Sequence, residues 1–164
     1  MQFDVFHDLA RRVGNKSNDW SDIVMKYDAL KKFSNRPTVL LAEDDPDQSE
    51  MLTEMLEGEG YAVDAARTGI SALKMLGENV YELIILDIRM PGMDGGVVLR
   101  KFRELETIGR TPVIVVSAFA TENECEHYKA LGADACFSKP YDSSDLFAAI
   151  AAFVPANTTL GRKI

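Results

Sequence analysis

Three short runs of this chain are apolar at almost every position: TVLLA at 38–42, LIIL at 83–86 and VIVVS at 113–117. A strand with apolar side chains on both faces must be covered on both faces. A parallel sheet packed between two layers of helices meets that condition. Helically spaced segments lie between the runs. Met51, Leu52, Met55 and Leu56 mark one from Pro46 to Glu57, stopped by Gly58 and Gly60. Ile70, Leu73 and Leu76 mark a second. A third runs from the turn RMPGMDGG to about Glu106, and a fourth from Glu122 to Leu131, ended by Gly132. The last spans Asp142–Phe153, with Leu146, Phe147, Ile150 and Phe153 on one face. YAVDAA at 61–66 reads as a weaker edge strand and DACFS at 134–138 as a short final one.

Five strands thus alternate with five helices through short loops. The expected fold is α/β: a flavodoxin-like, doubly wound, five-stranded parallel sheet in the order 2-1-3-4-5. Residues 1–36 read as a helical N-terminal extension, 37–154 as the domain, and 155–164 as a tail marked by Pro155 and Gly161. In the extension, Phe3, Phe6, Leu9 and Val13, then Trp20, Ile23, Val24, Tyr27 and Leu30, recur at helical spacing. That second stripe needs a cover. It packs on the domain or belongs to an upstream domain; alternatively it pairs in a homodimer or docks a partner.

Charge and composition narrow the function classes. The chain carries a formal −8. Seven Lys/Arg against five Asp give residues 1–36 about +2, leaving about −10 for the rest. An acidic domain gains little from phosphate backbones, so nucleic acid is not an expected direct partner. No apolar run approaches the roughly 20 residues of a membrane span, and the N-terminus lacks the form of a secretory signal. The two cysteines, Cys125 and Cys136, do not form a disulfide framework and fit a reducing, cytoplasmic compartment. Neither sits at a zinc-binding spacing. His7 and His127 read as lone surface histidines.

In such a sheet, ligands bind at the carboxyl ends of the strands. There the first strand ends in Glu43, Asp44 and Asp45, the third in Asp87, the fourth in Ser117 and the fifth in Ser138, Lys139 and Pro140. Asp45 before Pro46 suits a helix cap. The other acids would repel one another unless a cation compensates, and Mg²⁺ suits one or two carboxylates plus waters. A carboxylate nucleophile, a cation, a lysine and a hydroxyl together would support formation of an aspartyl phosphate.

The motifs VLLAEDDPDQ (39–48), LIILDIRMPGMDG (83–95), VIVVSA (113–118) and GADACFSKP (132–140) resemble the receiver domain of two-component response regulators, in order and spacing across about residues 38–154. The resemblance implies that Asp87 is the phosphoacceptor and that Mg²⁺ is held by Asp44 directly and by Glu43 through water. The metal would also take Asp87 and the backbone carbonyl of Arg89. Ser117 would be the switch hydroxyl and Lys139 the phosphate-binding lysine, set by a cis bond to Pro140. The implied protein is a signalling phosphoacceptor rather than a conventional enzyme. Its partners would be a sensor histidine kinase or a histidine phosphotransfer protein, and a downstream protein target.

One position departs from the family pattern: Cys136 stands where a Tyr or Phe is usual. Phe137 follows, but strand alternation turns it to the opposite face. Cys136 reads first as a small buried apolar residue. The sharper reading is an output surface that changes little, or one that uses Phe119 or Tyr141. Nothing nearby in sequence would lower the thiol pKa to favour redox chemistry. The alternatives are a receiver-fold binding module without phosphorylation-driven switching, and a receiver fragment of a larger regulator or hybrid kinase. An Asp-nucleophile phosphohydrolase of the haloacid-dehalogenase type would need an Asp two residues after Asp87, where Arg89 stands.

Overall fold

The computed structural model describes residues 36–106, 110–118 and 120–156. Within them lie β1 (Thr38–Ala42), α1 (Pro46–Gly58), β2 (Ala62–Ala66), α2 (Gly69–Glu78), β3 (Leu83–Asp87), α3 (Gly95–Leu105), β4 (Val113–Ser117), α4 (Glu122–Ala130), β5 (Ala135–Ser138) and α5 (Ser143–Phe153). The strands are all parallel and run in the order β2-β1-β3-β4-β5. That matches the sequence reading, and β2 stands at an edge as expected. Residues 1–35, on which most of the helical extension rests, lie outside the described residues, as do Phe119 and 157–164.

The apolar runs do what two-sided cover requires. β3 and β4 are buried at every position. On one face, Leu40, Ala42, Ile84, Leu86, Val113 and Val115 pack against Ala72 and Leu76 of α2 and Val98, Leu99 and Phe102 of α3. On the other, Val39, Leu41, Leu83, Ile85, Ile114 and Val116 meet Leu52 and Leu56 of α1 and Leu146 and Ile150 of α5. Consecutive strand residues alternate between the two cores, as a period of two dictates.

The helical stripes are narrower than the sequence suggests. Met51 is 54% exposed, Ile70 61% and Phe153 40%. In α1 the buried pair is Leu52 and Leu56, one turn apart, and Met51 lies about 100° to the side. In α2 the core takes Ala72 and Leu76, and Ile70 lies about 200° around from Ala72. Phe153 shares the stripe of α5 but is its last residue.

Caps set the helix starts next to the sheet's carboxyl edge. Asp45 caps α1, accepting from the Gln48 N–H with Pro46 following, as expected from sequence. Asp94 caps α3, Thr121 caps α4 in a capping box with Glu124, and Asp142 caps α5. At the opposite edge, Arg103 of α3 donates to the Gly132 carbonyl and pairs with Glu106 and Asp134. Gly132, at φ +111°, makes the turn into β5 with Arg103 wrapped over it.

One sequence expectation is overturned. Cys125 of α4 and Cys136 of β5 are joined by a disulfide, with Cα atoms 5.5 Å apart. α4 packs back onto the strand it precedes. A helix residue and a strand residue eleven positions apart thereby meet at a separation suited to a disulfide. Cys136 is therefore not simply a small apolar filler.

Candidate functional site

The strand order reverses between β1 and β3, and their carboxyl ends open the crevice where open α/β sheets bind ligands. β1 delivers Glu43 and Asp44 there, and β3 delivers Asp87 as its last residue. Glu43, Asp44 and Asp87 each bring a carboxylate oxygen within 4.8 Å of the others. Glu43 and Asp87 are buried.

Lys139 reaches in from the end of β5. Its Nζ donates to Glu43 Oε2 at 2.6 Å and to Asp87 Oδ2 at 2.7 Å. The bond to Pro140 is cis, as the resemblance implies. The Lys139 N–H donates to the Ser117 carbonyl at 2.8 Å, which extends the β4–β5 ladder to the mouth of the site. Ser117 is itself buried at the end of β4. It lies one residue past Val116, the cross-strand partner of Asp87.

The backbone after Asp87 folds onto it. The Arg89 N–H donates to Asp87 Oδ1 at 2.9 Å, and the Gly95 N–H donates to the Ile88 carbonyl at 2.8 Å. A Cβ on Gly95 would stand 2.2 Å from the Asp87 carbonyl oxygen and 2.8 Å from Ile88 Cα. Only glycine lets α3 start this close to the strand end.

Three carboxylates face one ammonium, and the electrostatics show the mismatch. Burial pushes the Glu43 carboxyl above the usual range; the Lys139 hydrogen bond opposes this and the Asp87 charge adds to it. Burial pulls the Lys139 ammonium down, but the bonds and charges of Asp87 and Glu43 outweigh it, so the net direction is up. A group of hard oxygen donors with two uncompensated negative charges fits a divalent cation such as Mg²⁺.

The structure therefore brings together Glu43, Asp44, Asp87 and Lys139, with Ser117 at the adjoining strand end. Asp45 stands aside as a cap, its carboxyl lowered chiefly by the Gln48 backbone N–H. Arg89 adds its backbone N–H, and its side chain is exposed. Cys136 faces the α2–α3 core, whereas Phe137 packs on the α1–α5 core edge-to-face with Tyr141 at 6.5 Å. Sequence reasoning missed two features: Lys139 bridges two carboxylates, and Cys125 pairs with Cys136.

Comparison with known proteins agrees with this geometry. The family model for the response regulator receiver domain matches residues 39–151. A CpxR homolog of Haemophilus influenzae, a transcriptional regulatory protein, is 34% identical over 71% of this chain and 49% of its own length. The sensor histidine kinase RcsC of Escherichia coli is 31% identical over 76% of this chain and 13% of its own. The chain thus spans half or less of these relatives. The receiver domain of the Pseudomonas aeruginosa sensor histidine kinase PA1611, solved with a magnesium ion in its active site cleft, superposes with a TM-score of 0.66 at 28% identity. The match covers 72% of this chain and 97% of that one. The chain belongs to the response regulator receiver domain family.

Proposed function

We propose that Asp87 is the residue that takes the phosphoryl group, and that residues 37–154 form the receiver unit. The observation that carries this reading is the double contact of Lys139 with Glu43 and Asp87 in a pocket of three carboxylates. A carboxylate oxygen of Asp87 attacks the phosphorus of a phosphohistidine or a small acyl phosphate. The P–N or P–O bond to the donor breaks, and an acyl phosphate forms on Asp87. Asp87 is already oriented for this by the Arg89 N–H and Lys139.

As the phosphoryl group arrives, Lys139 exchanges its bond to Asp87 for one to a phosphoryl oxygen, and the Ser117 hydroxyl donates to another. Glu43, Asp44, Asp87 and the Arg89 carbonyl are the groups that would hold Mg²⁺, which when bound supplies charge neutralisation at the phosphoryl oxygens. The same residues promote both phosphorylation and slow hydrolysis of the acyl phosphate, without turnover of a separate substrate. In this reading the donor is a histidine kinase or phosphotransfer protein, the output is protein docking, and the setting is the cytoplasm. Among the described residues, no helix is long and apolar enough to cross a membrane.

Mg²⁺-dependent incorporation of phosphate from acetyl phosphate tests the assignment. Labelling that survives in Asp87→Asn, or none in the wild type, would contradict it.

A further inference from the structure

The disulfide closes a ring through the candidate site. From Ser117 the chain runs through the β4–α4 segment to Cys125, crosses the disulfide to Cys136, and follows β5 to Lys139. The Lys139 N–H then returns to the Ser117 carbonyl at 2.8 Å. Ser117 and Lys139, whose hydroxyl and ammonium are assigned to the phosphoryl group, are both members of this ring through their backbones. α4, which carries Cys125, buries none of its nine residues, whereas α1, α2, α3 and α5 each bury at least two. Its apolar attachment to the domain is the partly buried Tyr128, with Leu131 just beyond its end. Among the described residues, the disulfide is the covalent tether of its amino-terminal half.

Resting on the phosphoacceptor reading, we propose that Cys125 and Cys136 form a reversible thiol–disulfide site that gates the response of α4 to phosphorylation. With the disulfide intact, the ring holds α4 to β5, and a phosphoryl group on Asp87 leaves α4 in place. Reduction opens the ring. A dithiol reductant gives two electrons and two protons and leaves as its own disulfide. The Sγ–Sγ bond breaks, and Cys125 and Cys136 become thiols. With the ring open, α4 is no longer tied covalently to β5 and follows changes at the end of β4. A small disulfide such as oxidised glutathione reverses the exchange and departs as two thiols. Cys136 thus brings a covalent tie to α4 to the position where the family pattern has a Tyr or Phe.

The test is amide hydrogen exchange over residues 122–130 of the full 164-residue chain. It is measured oxidised and dithiol-reduced, each with Mg²⁺ and with or without beryllofluoride as phosphoryl mimic. Binding of the mimic is followed separately by fluorine NMR. The expected result is unchanged exchange in the oxidised protein on adding the mimic and a change of about tenfold or more in the reduced protein. The double variant Cys125→Ser/Cys136→Ser should behave as the reduced protein whatever the redox buffer. Equal responses in both redox states, with the mimic bound in both, would overturn the gate alone. Two free thiols in protein equilibrated with oxidised glutathione would also overturn it. Absence of mimic binding in either state would overturn the phosphoacceptor reading, and the gate with it.

Discussion

Glu43 and Lys139 make opposite demands on their pocket. Glu43 is a buried carboxyl whose pKa is raised by burial, with the Lys139 bond only partly offsetting it. A group raised in this way contributes stability below the ordinary glutamate pKa. That contribution is lost as pH rises through the raised value. Metal-free protein at neutral pH therefore carries Glu43 at a cost. In Glu43→Gln the amide still accepts from Lys139 but is never charged. Its metal-free melting temperature at pH 7 should exceed that of the wild type, and it should lose stability less on going from acidic to neutral pH. In exchange it should lose most of the stabilisation by Mg²⁺, which for the wild type at a hundredfold excess over Kd is about 2.7 kcal/mol. Thermal melts with and without Mg²⁺ read both effects; a lower metal-free melting temperature would show that the Lys139 pair dominates instead. Lys139→Ala removes the donor proposed for the phosphoryl oxygen, and labelling by acetyl phosphate should slow by about 10²-fold. A rate within a few-fold of wild type would remove Lys139 from the chemistry.

At the level of elements, the close start of α3 against β3 and the link of α4 to β5 are the two arrangements that composition does not announce. Gly95→Ala would drive a methyl into the backbone of Asp87 and Ile88, atoms that cannot rotate away. It should destabilise the domain by about 2–3 kcal/mol or more in urea titrations, whereas Gly58→Ala, with open space around its Cα, should not. Reduction of the disulfide, which closes a loop of eleven-residue separation, should cost about 3 kcal/mol by the loop-entropy relation. An unchanged urea midpoint in dithiol would show that the disulfide does not stabilise the fold through loop closure. The strands themselves were legible because LIIL and VIVVS can be satisfied only by cover on both sides. The cysteine pair was not. Composition counts cysteines, but only the return of α4 onto β5 puts Cys125 beside Cys136. Met51 and Ile70 misled for a related reason: helical spacing fixes which residues share a stripe, while the width of the stripe that is covered depends on the neighbours.

Over the whole molecule, the order β2-β1-β3-β4-β5 converts sequence-distant residues into one pocket. Glu43 and Lys139 are 96 positions apart, and Asp87 and Lys139 are 52 apart, yet each pair is hydrogen-bonded. The membership of the site was legible because parallel strands send all their carboxyl ends to one side, so every residue that follows a strand is a candidate. The pairing within it was not legible. Which carboxylates Lys139 meets depends on side-chain reach across β1, β3 and β5, which no spacing in the sequence encodes. The same topology makes the central claim a statement about a single carboxylate among three neighbours. It is tested most directly by intact-mass and peptide-level mass spectrometry of the full chain after incubation with acetyl phosphate and Mg²⁺. One phosphoryl group on Asp87, absent without Mg²⁺ and absent in Asp87→Asn, is the predicted result; phosphate on Glu43 or Asp44, or on Asp87 irrespective of Mg²⁺, would contradict it.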